Sequence, residues 1–246
     1  MRQIVAFVFL SLVGFEVHSQ SLSATYLLQS SEEKVKLIEK KADKLSGTLK
    51  TTVNVTSDIF GKKSEARSSY FVIVKDGKDA QNEILGMPTA SDSTFARMMA
   101  KEASRHLNKP ALHVFDSAFP WNRLLSLADN KKQFYAKVIS DSASMSGKIC
   151  YLIEFQLDAE GDSVDAEGNG KIWIDHQNLL PVRTYHDFTM NTKRGRAEVK
   201  TFTDFALIKY GIPVLLRSEI QTLPKFLFVK IGLIEIVIEQ SDFNLE

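Results

Sequence analysis

The stretch GKIWIDHQNLLPVRTYHDF, residues 170–188, predicts a β-hairpin and decides the fold class. Ile172 and Ile174 alternate with Lys171, Trp173 and Asp175, which is the period-two pattern of a half-buried strand. Residues 176–178 supply turn-forming side chains, and residue 181 is a proline, which has no N–H and therefore suits the first position of a strand. In the returning strand the even-numbered residues 182–188 share one face and the odd-numbered residues share the other. Hairpins of the same kind recur on both sides.

The order of residues in this hairpin resembles the family of LolA-like outer-membrane lipoprotein-sorting proteins, part of a LolA/LolB-like carrier superfamily. In that family a W-I-D strand is followed by a short turn and then by L-P-V, as in residues 171–188 here. The resemblance extends from about Lys148 to the C-terminus and, more loosely, over the whole mature chain. It implies an incomplete β-barrel whose hollow holds acyl chains. No short motif maps onto a lipoprotein-handling residue of the family, so the resemblance concerns the scaffold.

Composition excludes several classes of protein. The chain has 246 residues, a formal net charge of +1, 44% hydrophobic and 25% charged residues. This balance is typical of a globular protein and gives no electrostatic basis for binding nucleic acid. Cys150 is the only cysteine, so no internal disulfide is expected.

The N-terminus has the pattern of a secretory signal peptide. Arg2 precedes the apolar run 4–13, and Val17-His18-Ser19 offers a cleavage site, which predicts a signal peptide over residues 1–19. The apolar run is too short to cross about 30 Å of hydrocarbon. Residues 20–246 are then expected to form a single LolA-like carrier domain. No cysteine ends the signal, so we expect a periplasmic protein without a lipid anchor.

Two amphipathic helices are predicted. The first begins with a capping box, Ser30 and Glu33, and ends at Gly47; its apolar side is expected to be Val35, Leu37, Ile38 and Leu45. The second follows Ser91, and its apolar side is Phe95, Met98, Met99 and Leu107. Methionines adapt to irregular ligands, so this second helix is either plain core or the lid of a cavity.

The remaining segments read as about ten strands. Residues 76–77, Asp-Gly, predict a tight hairpin turn, and residues 119–127 predict a helical turn with a proline at its start. Residues 158–170 are expected to be an acidic loop. The strands are predicted at 48–59, 68–75, 79–85, 112–115, 134–139, 149–157, 172–175, 182–188, 197–207, 214–220 and 223–239. The fold class is therefore α+β, mainly antiparallel β: an incomplete, half-open β-barrel covered by amphipathic helices.

A curved sheet that does not close leaves a concave apolar surface. Burying ten methylenes there offers about 8 kcal/mol before binding costs, without any hydrogen bond. We therefore expect a carrier of lipoprotein or lipid acyl chains. The residues predicted to line the cavity and its lid are Val53, Val55, Phe71, Ile73, Phe95, Met98, Met99, Leu107, Phe115, Trp121, Tyr151, Ile153, Phe155, Ile172, Ile174, Phe226 and Phe228.

Catalytic and metal-binding patterns are weak. Residues 165–176 imitate a calcium loop, but the twelfth position is His176 instead of glutamate. Asp175 and His176 are strand neighbours that point to opposite faces, and no HExxH, GxSxG or phosphate-binding loop occurs. We expect no enzyme activity, metal or cofactor. The expected partners are acyl cargo and, transiently, an inner-membrane exporter or outer-membrane acceptor, with the protein a monomer. A packed secreted β-module and a hydrolase with dispersed catalytic residues stay open as alternatives.

Overall fold

The computed structural model describes residues 22–84, 89–90, 112–162, 164–192, 195–226 and 229–246. The expected signal peptide and the expected helix after Ser91 lie outside these residues. No helix among the described residues is both long enough and apolar enough to cross a membrane.

Within these residues twelve strands form one antiparallel sheet, and two of the strands are only two residues long. The order is β3-β2-β1-β12-β10-β9-β8-β7-β6-β5, so β3 and β5 are edges and the sheet is open, as expected from the sequence. The strands are β1 (Gly47–Ile59), β2 (Lys62–Lys75), β3 (Lys78–Ile84), β4 (Thr89–Ala90), β5 (Lys131–Met145), β6 (Lys148–Glu160), β7 (Val164–Asp175), β8 (Pro181–Thr192), β9 (Gly195–Ile208), β10 (Ile212–Phe226), β11 (Val229–Lys230) and β12 (Gly232–Leu245).

Tight turns fix the register of the hairpins. Asp76 and Gly77 both have positive φ, 49° and 74°, as a two-residue turn matched to strand twist requires. The β7–β8 hairpin is also as predicted: β8 begins at Pro181, and Ile172 lies directly opposite Thr184. The predicted acidic loop is wrong, because β6 continues to Glu160 and β7 already begins at Val164.

The described helices are α1 (Ala24–Ala42), α2 (Phe115–Ala118) and α3 (Pro120–Leu127). The predicted start of α1 at Ser30 is wrong, because Ser23 is the N-cap and its hydroxyl accepts the Tyr26 N–H at 3.2 Å. Val35 is fully buried, but Leu37, predicted on the same apolar side, is 59% exposed. The helix therefore turns a narrower apolar side to the sheet than expected.

The predicted strand at 112–115 is also wrong, and Glu39 supplies the reason. Its Oε1 accepts the backbone N–H groups of Val114 at 2.6 Å and Phe115 at 2.8 Å. These N–H groups are thereby satisfied by a side chain of α1 instead of a neighbouring strand, and α2 begins at Phe115. Burial raises the pKa of Glu39 above its ordinary value, although the two N–H donors and His113 act in the opposite direction.

The buried residues form two clusters on one face of the sheet, which we call the inner face. The larger joins α1, α2 and α3 to the inner sides of β6, β7 and β8, so these strands with β5 are called the helix-covered half. The smaller cluster lies at the C-terminal end of α1. There α1 packs against the first residues of β1 and β10 and the last residues of β2. Five of the other strands, β9, β10, β12, β1 and β2, are called the aliphatic half.

Candidate ligand-binding face

An aliphatic surface lies on the inner face of the aliphatic half. Pairing across β10, β12 and β1 places Ile220 beside Ile236 and Ile236 beside Val55. In the adjacent rows Ile238 lies between Ser218 and Val53, and Ile234 lies between Thr222 and Ser57. This register follows from alternation, since every second residue of β12 from 234 to 238 is isoleucine. We call the set the aliphatic face: Val53, Val55, Val199, Ile220, Ile234, Ile236 and Ile238.

Side chains of the aliphatic face are only partly covered. All except Val55 are half-buried, and none belongs to either of the two clusters formed by the described residues. The face spans four strands and five residues along β12, which is about 14 Å by 13 Å at ordinary strand spacing and rise. It is wide enough to take an acyl segment laid against the sheet.

Charged residues of the same strands lie on the opposite, outer face. Arg183 of β8 donates to Asp204 of β9 through Nε at 2.5 Å and through Nη2 at 2.8 Å, and this pairing raises the pKa of Arg183. Lys200 lies 3.0 Å from Asp187, and further pairs join Arg217 to Glu239 and Lys225 to Glu198. The sheet is therefore amphipathic: its inner face is apolar here, and the charged residues of its outer face form ion pairs with one another.

Aromatic side chains close the helix-covered half. Trp121 of α3 is the centre, with ring centroids 4.5 Å from Phe155, 5.3 Å from Phe134 and 5.5 Å from Phe119. The Trp121 indole N–H donates to Glu32 of α1 at 3.3 Å, which satisfies its one polar atom. This arrangement is a packed core.

Glycines in β7 make room for these rings. A Cβ on Gly170 would lie 2.2 Å from Cζ of Phe155, and a Cβ on Gly168 would lie 2.6 Å from Cδ1 of Phe188. Real Cβ atoms do not come this close to other atoms, so the rings occupy the space that side chains at these two positions of β7 would need. These glycines, which lie in the segment predicted to be an acidic loop, are therefore packing positions in β7.

His186 of β8 lies at the boundary of the two halves. It pairs across the sheet with Gly170 on one side and with Thr201 on the other, and its ring stacks on Phe188 at 5.0 Å. Its Nδ1 is buried and has no hydrogen-bond partner within the part of the chain that the structure describes. Burial lowers the pKa of His186 to about 4, so the ring is neutral near pH 7.

The predicted site residues fall into four groups. Val53 and Val55 lie on the aliphatic face. Buried in or packed against the helix-covered core are Phe115, Trp121, Tyr151, Ile153, Phe155, Ile172 and Ile174.

Two residues that were predicted to line the cavity lie on the opposite face of the sheet. Phe71 and Ile73 lie on the outer face, since they pair with Lys50 and Thr48, whereas Val72 and Val74 are the buried residues of that strand. Phe226 ends β10, but its side chain lies outside the described part. Phe95, Met98, Met99, Leu107 and Phe228 lie wholly outside it.

The prediction omitted most of the aliphatic face. The alternation of isoleucines at 234, 236 and 238 was the available signal, but no sequence pattern showed that Ile220 would lie beside Ile236 or that Val199 would pair with Thr222 in the same sheet. His186 was also missed as a site residue, because its position at the boundary depends on which strands are neighbours.

Grooves lined by the described residues lie elsewhere. Three have volumes of about 460 to 560 Å³, and each has polar or charged residues in its lining. The largest of the three lies at one end of β1, β9 and β12 and is lined by Ser46, Gly47, Ile208, Lys209, Phe243, Asn244, Leu245 and Glu246. None of the three is formed by the aliphatic face.

Polar residues singled out in the sequence have structural partners. Asp175 lies 2.9 Å from Lys148 Nζ and accepts the Gln177 N–H at 2.8 Å. Burial alone would raise the pKa of Asp175, but these partners outweigh it and hold that pKa below its ordinary value. Cys150 is a buried free thiol whose pKa burial raises. Among the described residues no group of three or more His, Cys, Asp or Glu is arranged to hold a metal.

Comparisons with known proteins give similar structures only. No family model and no curated protein matches the chain. A DUF1329 family protein from Desulfovibrio piger is similar at 14% identity and a TM-score of 0.32, over 89% of this chain and 92% of that one. A putative outer membrane lipoprotein-sorting protein domain from Vibrio parahaemolyticus is similar at 8% identity and a TM-score of 0.34, with the same coverage. The Pseudomonas aeruginosa MucA/MucB complex contains a chain similar at 9% identity and a TM-score of 0.25, over 86% of this chain and 94% of that one. The family that the hairpin resembles is thus among the similar structures, but these scores are too low to support an inference about function.

Proposed function

We propose that this protein is a periplasmic carrier, without catalytic activity, that binds acyl chains of a lipoprotein or lipid and moves them toward the outer membrane. The observation that carries the proposal is the aliphatic face, which is half-buried, without charge, and opposite a face on which the charges are paired. A contiguous apolar patch that stays partly exposed in this way marks a binding surface for an apolar partner.

The energetics of such binding suit reversible carriage. Each methylene removed from water contributes about 0.8 kcal/mol, so ten methylenes contribute about 8 kcal/mol before the cost of association is subtracted. The result is binding that a membrane acceptor can reverse. No covalent step and no metal is required.

Extraction of gently purified protein tests the proposal. The protein is exported with its own N-terminus, purified without detergent and extracted with organic solvent, and the extract is analysed by mass spectrometry. We expect acyl lipid or lipopeptide in roughly stoichiometric amount, and uptake of a fluorescent fatty-acyl probe by the delipidated protein. A clean extract together with no probe uptake would contradict carriage.

A secreted interaction module with a packed interior is the second candidate. The observation that favours it is the helix-covered half, where the buried rings of Trp121, Phe119 and Phe155 pack against one another in a closed core. In that case the aliphatic face would bind another protein, and the extract would contain no lipid. Probe uptake that Ile236→Asn reduces and Ile149→Asn does not would favour the carrier, because Ile149 is 61% exposed and is remote from the aliphatic face along the sheet order.

A further inference from the structure

His186 is the one ionisable side chain in the cross-strand row that runs from the aromatic core to the aliphatic face. That row reads Phe155, Gly170, His186, Thr201, Ile220, Ile236 and Val55. In this row the aliphatic side chains are therefore bordered, on the side of the helix-covered half, by an imidazole and a hydroxyl.

The polar atoms at this boundary are of two kinds. The Thr203 and Ser218 hydroxyls in the next row bond to each other at 3.1 Å, so they are satisfied. The Nδ1 atom of His186, by contrast, is buried without a partner among the described residues. Thr201, 7% exposed, is its direct cross-strand neighbour, with Cβ atoms about 5 Å apart in such a pair. A buried polar atom without a partner is rare and calls for an explanation.

We propose that the His186 imidazole, with the Thr201 hydroxyl beside it, is the hydrogen-bonding end of the acyl-binding surface and selects neutral acyl esters over free carboxylates. This inference rests on the proposed function. A neutral imidazole has one N–H and one acceptor nitrogen, so the ring donates to an ester carbonyl oxygen while remaining uncharged.

The charges of the site explain the selection against carboxylates. His186 is neutral near pH 7, because burial lowers its pKa to about 4. The cations next to its cross-strand partners, Lys171 and Lys200, are both on the outer face, and Lys200 lies 3.0 Å from Asp187. A carboxylate at His186 would therefore be desolvated without a counter-charge, which is costly.

Competition binding tests the inference. A fluorescent naphthylamine probe bound to the delipidated protein is displaced at pH 7.5 by methyl laurate, by laurate or by tridecane, which have similar apolar lengths. We expect methyl laurate to bind about five- to ten-fold more tightly than tridecane, the effect of one net hydrogen bond. Laurate should bind at least about ten-fold more weakly than methyl laurate, because its charge is unbalanced at the site.

Variants identify the residue responsible. His186→Phe keeps the ring and its stacking on Phe188 but removes the nitrogens, so the preference for ester over tridecane should fall to about one-fold. The matched control is His176→Phe, at an exposed imidazole that stacks on Tyr151 in the β7–β8 turn, and it should keep the preference. In wild-type protein, methyl laurate should shift the ring-nitrogen NMR signals of His186, a readout that does not depend on the folding of a variant.

Each outcome decides between the two proposals. An ester preference that persists in His186→Phe, or that is absent in wild type, overturns the role of His186 and leaves acyl carriage standing. Failure of the probe and of every ligand to bind overturns acyl carriage and this inference together. If His186→Phe loses the ester preference while wild type and His176→Phe keep it, both acyl carriage and the role of His186 are supported.

Discussion

The two halves of the sheet use the same inner face differently. On β6, β7 and β8 that face is closed by helices and by rings centred on Trp121, and β7 carries glycines because the rings occupy the space of its side chains. On β10, β12 and β1 it carries branched aliphatic side chains that are half-buried and outside both clusters of the described residues.

Because of this difference, we expect the helix-covered half to contribute mainly to stability and the aliphatic half mainly to ligand binding. A closed aromatic core holds the helices to the sheet, and truncating it opens a cavity. A half-buried aliphatic face contributes less to stability, because its side chains still contact solvent, but it remains able to cover a ligand's hydrocarbon. The comparison therefore predicts that mutations in the two halves change different properties.

Matched isoleucine truncations should show the largest effect. Ile172→Ala in the helix-covered half, at a fully buried side chain, should lower the free energy of unfolding by about 2–5 kcal/mol, since it leaves a cavity. Ile236→Ala should lower it by about 1 kcal/mol, because that side chain is half-buried. Urea unfolding followed by tryptophan fluorescence measures both. Equal losses would show that the two halves are packed alike.

The reverse pattern is expected for binding. Ile236→Asn places a polar amide in the middle of the aliphatic face and should weaken acyl-probe affinity about ten-fold or more, because the amide must be desolvated when the chain covers it. Ile149→Asn, at an exposed position of β6, should leave the affinity unchanged. Fluorescence titration of the delipidated proteins measures both. If Ile236→Asn and wild type bind the acyl probe with equal affinity, the aliphatic face is not the binding surface.

Much of the fold was predictable, because hairpins depend on local signals. Alternation identified the long strands, Asp76-Gly77 identified a turn, and Pro181 identified the start of β8. The start of α1 was not predictable, since Ser23 and Ser30 are both good caps in sequence and only packing distinguishes them.

The binding surface was less predictable, because it depends on which strands are neighbours. The run Tyr70–Val74 is apolar at nearly every position, so its period cannot tell which side is buried; pairing with β1 makes Val72 and Val74 the inner residues. Similarly, His186 became notable only once Gly170 and Thr201 were known to be its neighbours.

Two ionisable groups on the inner face, the half-buried His186 and the buried Asp79, should have opposite effects on stability in acid. The pKa of His186 is lowered to about 4, so its contribution is present above its ordinary value of 6.5 and is lost as the pH falls toward 4. Burial raises the pKa of Asp79 to about 6, so its contribution is present below 3.8 and is lost as the pH rises through 6.

Single variants should separate these contributions. Relative to wild type, His186→Phe should gain about 1–2 kcal/mol of stability when the pH is lowered from 7 to 5, and Asp79→Asn should lose a similar amount. Urea midpoints at the two pH values give the change for each protein, so constant packing effects of the substitutions cancel. Parallel pH dependence in all three proteins would show that these groups are not buried as described.

The smallest effect is expected on the outer face, where the ion pairs are partly exposed to solvent. Arg183→Gln removes the two hydrogen bonds to Asp204, yet the lost stability should be at most about 1 kcal/mol, because exposed ion pairs gain little over hydration. The loss should shrink further in 1 M salt, where charges are screened within about 3 Å. Acyl-probe affinity should not change, since Arg183 points away from the aliphatic face. A larger loss of stability, insensitive to salt, would mean that the outer face is covered by another surface and that the division between a charged exterior and an apolar interior does not hold.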